Sequence, residues 1–282
     1  MGLERQARPL GYTVRSVLRA VLLVAVLGLV VWANHHVQIN ISGRMTQKDF
    51  MSIWTGAKAV ILGLNPYDVS VWRPLRRAYG CSWNRDPISA WPLWTHLFFV
   101  PFSFLSPEVA GASWMTICEL SLILGVSLMM QALVWESQLT LFALSAGAVL
   151  FRPALPAILN GQVSPLLFLI LAAAYFLHSQ GRPFIAGLLL SLEAVKPNLT
   201  AILLLTVAVV FLFRRDWRAL TGLVAGGRTL LVISWIVIPA WPFRWLLVAL
   251  MRKGGGGGAI PTVWGLVYEW GGHNCGLAVR SS

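Results

Sequence analysis

Residues 183–218 read PFIAGLLLSLEAVKPNLTAILLLTVAVVFLFRRDWR. Two apolar runs, 184–195 and 199–213, stand on either side of Lys196-Pro197, and Arg214, Arg215 and Arg218 close the stretch. A helix needs about 20 apolar residues to cross the hydrocarbon core, and neither run reaches that length. Short, interrupted helices survive in a bilayer only where protein or a water-filled cavity covers the exposed backbone. A charge at mid-span costs roughly 2.5–3.5 kcal/mol on insertion scales, so Lys196 is kept against a penalty. A plain structural bundle has little use for such a break. Transport and membrane-embedded chemistry both do.

The rest of the chain carries the same signature. Its 282 residues are 57% hydrophobic and 11% charged, with a mean hydropathy of +0.71. Soluble domains carry about 25% charged residues, so this chain cannot cover a water-facing surface. Fourteen Trp and thirteen Phe suit the aromatic belts of a bilayer. The net charge of +12 is spread between apolar stretches, which fits cationic loops beside membrane spans and not a nucleic-acid surface. Further apolar segments lie at about 17–33, 91–105, 109–133, 139–159, 163–178 and 220–240, and Pro153, Pro156 and Pro165 crowd a second break. The expected architecture is all-α: one polytopic membrane domain over 1–282, embedded in a lipid bilayer.

Orientation follows from charge. Arg5, Arg8, Arg15 and Arg19 precede the apolar run 21–33, and Trp32-Ala33-Asn34-His35 lacks a small-x-small cleavage site. An uncleaved anchor with a cytoplasmic amino end in a cell membrane is expected. Counting every segment as a crossing then places Arg214–Arg218 outside, against the positive-inside rule. Treating 91–105 as a re-entrant element puts Arg182 and 214–218 inside, and Asn160-Gly161-Gln162, Lys196 and 241–262 outside.

The long polar stretch 34–90 is then external. Phe50, Ile53, Trp54, Ala57 and Ile61 recur at helical spacing. Thr46 and Asp49 stand near the start of that helix as Thr-x-x-Asp, Gly63 ends it, and Asn65-Pro66-Tyr67-Asp68 makes a turn. A second amphipathic piece around 69–79 carries Arg73, Arg76 and Arg77. Two such helices are expected to lie flat on the membrane surface.

Few residues can carry chemistry. Asp49 is one of ten acids; it reads either as a helix cap or as a general base, and a cap fixes the direction of a base. Asp68 reads as a turn residue. Lys196 either pairs with Glu193, three residues earlier, or offers its charge to a phosphate. Asn160 and Gln162 either cap a broken helix or meet ligand hydroxyls. Gly254–258 lacks the strand–turn–helix setting of a phosphate cradle. Cys81, Cys118 and Cys275 are an odd set in which Cys81 and Cys275 could pair outside, and no metal-ligand spacing occurs.

Asp49-Phe50, Trp54-Thr55-Gly56-Ala57-Lys58-Ala59-Val60, Gly63 and Asn65-Pro66-Tyr67-Asp68 together resemble the first external loop of glycosyltransferase family 87. Asn160-Gly161-Gln162, the run Ala186-Gly187-Leu188-Leu189-Leu190 leading to Lys196-Pro197, and the basic patch 214–218 resemble it too. The likeness runs over roughly residues 15–270, and the order and spacing of the motifs are more specific than any one of them. It implies a GT-C helix bundle and a hexosyltransferase of the polyprenyl-phosphate-mannose-dependent kind. The donor would be a polyprenyl-phosphate sugar, the acceptor a glycan or glycolipid on the outer face, and the mechanism inverting. No cofactor is implied, since the lipid-linked sugar is itself the substrate. Asp49 maps to the catalytic base, and Lys58, Tyr67, Asp68, Asn160, Gln162 and Lys196 to substrate contacts. Members usually continue for several more spans, so a chain truncated at its carboxyl end is expected. The rival reading is a transporter or lipid flippase with Glu193 and Lys196 as coupling charges. Its weakness is the long external loop and the lack of internal repeats.

Overall fold

The computed structural model describes residues 10–40, 49–81 and 88–251. Twelve α-helices and two short 3₁₀ turns make up these residues, with no strand among them. In chain order the helices are α1 (Leu10–Asn40), α2 (Asp49–Ile61), α3 (Val69–Ala78), α4 (Leu93–Phe98), α5 (Pro107–Ala132) and α6 (Gln138–Leu150). They continue as α7 (Ala154–Leu159), α8 (Ser164–Ser179), α9 (Pro183–Leu190), α10 (Pro197–Phe213), α11 (Trp217–Val237) and α12 (Trp241–Met251). The 3₁₀ turns, Val100–Phe104 and Ser191–Val195, follow α4 and α9. The protein is an all-α membrane protein.

Among the described residues, Ala20–Asn40, Pro107–Ala132 and Trp217–Val237 are long and apolar enough to cross a bilayer. Gln138–Leu150, Ser164–Ser179, Pro183–Val195 and Pro197–Phe213 are apolar but shorter. Proline sets several of the starts: Pro107, Pro165, Pro183 and Pro197 occupy the first turns of α5, α8, α9 and α10. There the missing N–H costs nothing, because the first four donors of a helix have no intrahelical partner.

Packing defines two ends. Asn34 of α1 donates to Thr116 Oγ1 (3.0 Å) and Glu119 Oε2 (3.1 Å) of α5, and Gln38 reaches Met115 Sδ. Partner numbers fall as α1 rises, so the two helices are antiparallel. α8 runs parallel to α5: Gly161 and Gln162, just before α8, meet Trp114 and Cys118, and further along Phe168 lies against Gly125. α9 and α11 are also parallel. At Gly187 a side chain would collide with the backbone of Ala219, at Gly222 with Phe184, and at Gly226 with Ser191. Without a hydrophobic drive in lipid, such close backbone approach is what holds helices together.

Asn40, the start of α5, the turn at 160–162, Lys196 and the end of α11 therefore gather at one end. The loops after α5, α8 and α10 gather at the other. At that second end His178 Nε2 lies 2.6 Å from Asp216 Oδ2, and Asp216 caps α11 through the Ala219 N–H. Burial pushes the Asp216 carboxyl up, but the bonds from His178 and Ala219 bring it below its ordinary value. Arg182, Arg214, Arg215 and Arg218 belong to these same loops.

The stretch 91–105 is not one helix. α4 has six residues and the 3₁₀ turn five; at about 1.5 Å per residue α4 spans roughly 9 Å, well short of a bilayer. α2 is not a helix with an apolar face left open to lipid. Phe50, Met51, Ile53, Trp54, Thr55, Gly56, Ala57 and Ala59 are all buried. The cause is cover from several sides: α4 and the following 3₁₀ turn pack on α2, as do α3 and α5. Gly56 lets the His96 ring lie directly against the α2 backbone, a place any Cβ would take. Thr46 and Cys275 lie outside the described residues, while Cys81 and Cys118 are buried and free.

Candidate active site

Asp49 opens α2, in the first turn, where a carboxylate complements the helix dipole. Its carboxylate is exposed, while the next residue, Phe50, is fully buried. The Phe50 N–H donates to the Asn160 carbonyl at 3.3 Å, which ties the start of α2 to the turn between α7 and α8.

That turn is a Schellman stop. The Gly161 N–H bonds to Ile158 O (2.9 Å) and the Gln162 N–H to Ala157 O (2.8 Å), with Gly161 at φ +65°. Gly161 has a second reason to be glycine: a Cβ there would collide with Phe50 Cβ. All three carbonyls of the turn are taken. Asn160 accepts from Phe50, Gly161 from Trp114 Nε1 (3.0 Å) and Gln162 from the Cys118 thiol (3.5 Å). With its backbone held, Gln162 places its side-chain amide on Asp49, Nε2 to Oδ2 at 3.2 Å. The turn does end a helix, through the backbone of Gly161 and Gln162, while the Gln162 side chain meets Asp49 and not the helix end. Asn160 acts here through its carbonyl.

Lys196 stands between the 3₁₀ turn and α10 and is half-buried. It forms no ion pair with Glu193 among the described residues; Glu193 is 1% exposed, and its Oε1 has no partner there. The ammonium instead sits over the Trp91 ring, 5.8 Å from the centroid; burial lowers its pKa, and the charge of Asp49 opposes that shift only in part. The two carbonyls just before it are both gripped from α4. Trp94 Nε1 donates to Ala194 O and Thr95 Oγ1 to Val195 O, each at 2.8 Å. Thr200 closes the far side with Oγ1 on Glu193 O (2.6 Å).

The remaining sequence candidates meet other partners. Lys58 donates to Ser103 O (3.1 Å) and covers Trp54, tying α2 to the 3₁₀ turn. Tyr67 is buried and donates from its hydroxyl to Trp91 O at 2.7 Å. Burial raises its hydroxyl well above the ordinary tyrosine range, so it stays a donor. Asp68 caps α3 through Ser70 N (2.9 Å) and Ser70 Oγ (2.7 Å), bonds that hold its carboxyl below its usual value. Arg244 lies 4.0 Å from it across an exposed gap.

The structure thus brings together an oriented carboxylate and a cation that is free of ion pairs, at one end of a membrane bundle, beside two helix breaks. Sequence reasoning passed over Trp91, Trp94 and Thr95. Their signal was the string Ser89-Ala90-Trp91-Pro92-Leu93-Trp94-Thr95-His96, unusually rich in hydrogen-bonding side chains for the edge of an apolar segment.

The family model for glycosyltransferase family 87 matches residues 91–255. That range contains the 160–162 turn, Lys196 and the α4 grip on it; Asp49 precedes it. No curated protein and no solved structure matches the chain. The match covers more than half of the chain, and the chain belongs to glycosyltransferase family 87.

Proposed function

We propose that this membrane glycosyltransferase transfers a hexose, mannose in the first instance, from a polyprenyl-phosphate donor to a hydroxyl of a glycan or glycolipid on the outer face of the membrane. Asp49 takes the proton of the acceptor hydroxyl. The acceptor oxygen bonds to the anomeric carbon from the side opposite the phosphate, and the bond from that carbon to the phosphate oxygen breaks. Polyprenyl phosphate leaves with the electron pair, and the configuration inverts. Lys196 offsets the charge that grows on the leaving phosphate. A phosphate leaving group needs no protonation, so one carboxylate suffices.

The observation that carries this reading is the pairing of roles at one end. Asp49 is aimed by Gln162 through a single oxygen, and Lys196, at the same end, sits over the Trp91 ring and forms no ion pair with Glu193 among the described residues. The placement outside rests on the arginine-bearing loops 179–182 and 214–218, which share the opposite end.

The test is Lys196→Met. Hydrogen bonds to charged groups are worth about 1.5–3 kcal/mol, so kcat/KM for polyprenyl-phosphate mannose should fall roughly 10- to 100-fold. Stability should change by less than about 1 kcal/mol, because the ring contact with Trp91 is the main packing lost. Unchanged donor kinetics in a folded variant would remove Lys196 from the site.

A further inference from the structure

Lys196 is held by residues that come from far away in the chain and that share one purpose. The segment 89–96 meets it once and the two residues before it once each: the Trp91 ring lies under the ammonium, and Trp94 and Thr95 bind the carbonyls of Ala194 and Val195. Trp91 is itself fixed at both backbone groups. Its carbonyl accepts from Tyr67 (2.7 Å), and its N–H donates to Ser89 Oγ (3.3 Å).

Behind Ser89 the chain of bonds continues into α2. The Ile53 carbonyl can only accept, so His96 donates to it from Nδ1 (3.2 Å). Nε2 then accepts from Ser89 Oγ (2.7 Å), and that oxygen is left to accept from Trp91. Ser89 N donates to Pro66 O (3.0 Å), which fixes the same segment to the Tyr67 turn. His96, Thr95 and Ser89 are fully buried. α2 is the helix that Asp49 opens, so the segment that carries Trp91 is bonded to that helix at Ile53.

We propose that Trp91 is a positioning residue for the transfer: through its ring, anchored by Tyr67 and Ser89, it holds Lys196 towards the donor phosphate and at a set distance from Asp49. An ammonium on a four-carbon stem carries about 2 kcal/mol of rotamer entropy. A ring face within about 6 Å removes much of that freedom without neutralising the charge. A carboxylate partner such as Glu193 would hold the lysine as well but would cancel the charge the phosphate needs. The inference rests on the reading of Lys196 given above.

A double-mutant cycle in the full chain, assayed with polyprenyl-phosphate mannose, separates the two. Trp91→Leu should lower donor kcat/KM roughly 3- to 10-fold while the acceptor KM stays within about 2-fold. Trp91→Phe, which keeps a ring, should recover most of the loss. In the Lys196→Met background the further loss from Trp91→Leu should shrink to less than about 2-fold, since no ammonium is left to position. Equal losses in the two backgrounds would overturn the role of Trp91 and leave that of Lys196 standing. If Lys196→Met alone leaves donor kinetics unchanged, both fall. Should Trp91→Leu fail to fold, Trp91→Met, which also lacks a ring, carries the same cycle: a loss for Trp91→Met that persists undiminished without Lys196 overturns positioning.

Discussion

Asp49→Asn is expected to remove transfer activity and leave a folded protein. Asparagine still offers an oxygen to Gln162 Nε2, so the link between α2 and the 160–162 turn survives. It is also well tolerated at a helix start, and losing the charge from the first turn costs about 0.3–1 kcal/mol. The backbone tie between Phe50 and Asn160 does not involve the side chain at all. A neutral amide cannot take a proton, so the general-base contribution, roughly 10²–10⁴-fold, should disappear from kcat. Steady-state kinetics beside a thermal melt separate the two effects. Near-normal turnover in a folded Asn variant would return Asp49 to the role of a cap and send the search for a base to the other acids of the loop.

The second large effect is structural. Gly187→Ala should destabilise the protein, because the nearest atoms an added Cβ meets are backbone atoms of Ala219 and Leu223, which cannot rotate away. α9 and α11 would have to separate along a contact that also holds Gly222 against Phe184 and Gly226 against Ser191. Overpacking of this kind typically costs 1–3 kcal/mol. Against this stands the gain from replacing glycine in a helix, about 1 kcal/mol. Gly147→Ala in α6 is the control, since nothing lies within 4 Å of a Cβ there. Thermal unfolding in detergent should show Gly187→Ala lowered by several degrees and Gly147→Ala level or raised. Equal behaviour of the two would mean that the α9–α11 contact is looser than described.

Much of this was legible from residue chemistry. Low charge and long apolar runs fix a membrane bundle because lipid offers no partner for anything but satisfied backbone. Gly63 reads as a helix stop and Asn160-Gly161-Gln162 as a helix break, and Gly63 and Gly161 both end their helices in left-handed backbone with paired Schellman bonds. Pro197 marks a break because it cannot continue a helix, and Lys196 stands at that break. What the string could not show is who meets whom. Trp94 and Thr95 act on carbonyls a hundred positions away, a relation that no local period encodes. The enclosure of α2 was hidden for a related reason. Its apolar stripe suits a lipid surface and a protein cap equally well, and only the packing of α4 and α5 decides between them. Lys196 and Glu193 share a spacing that suits an ion pair on a regular helix. Lys196, however, leaves the 3₁₀ turn with non-helical backbone (φ −130°, ψ 72°), so no helical register relates the two side chains, and the pair does not form among the described residues.

The most direct measurement is transfer by the purified protein in lipid nanodiscs, given polyprenyl-phosphate mannose and, separately, a nucleotide-activated mannose, with the anomeric configuration of the product read by NMR. Transfer from the lipid-linked donor alone, release of polyprenyl phosphate, and inversion at the anomeric carbon are expected. Transfer from the nucleotide sugar, or a product that retains the donor's configuration, would contradict the proposed mechanism.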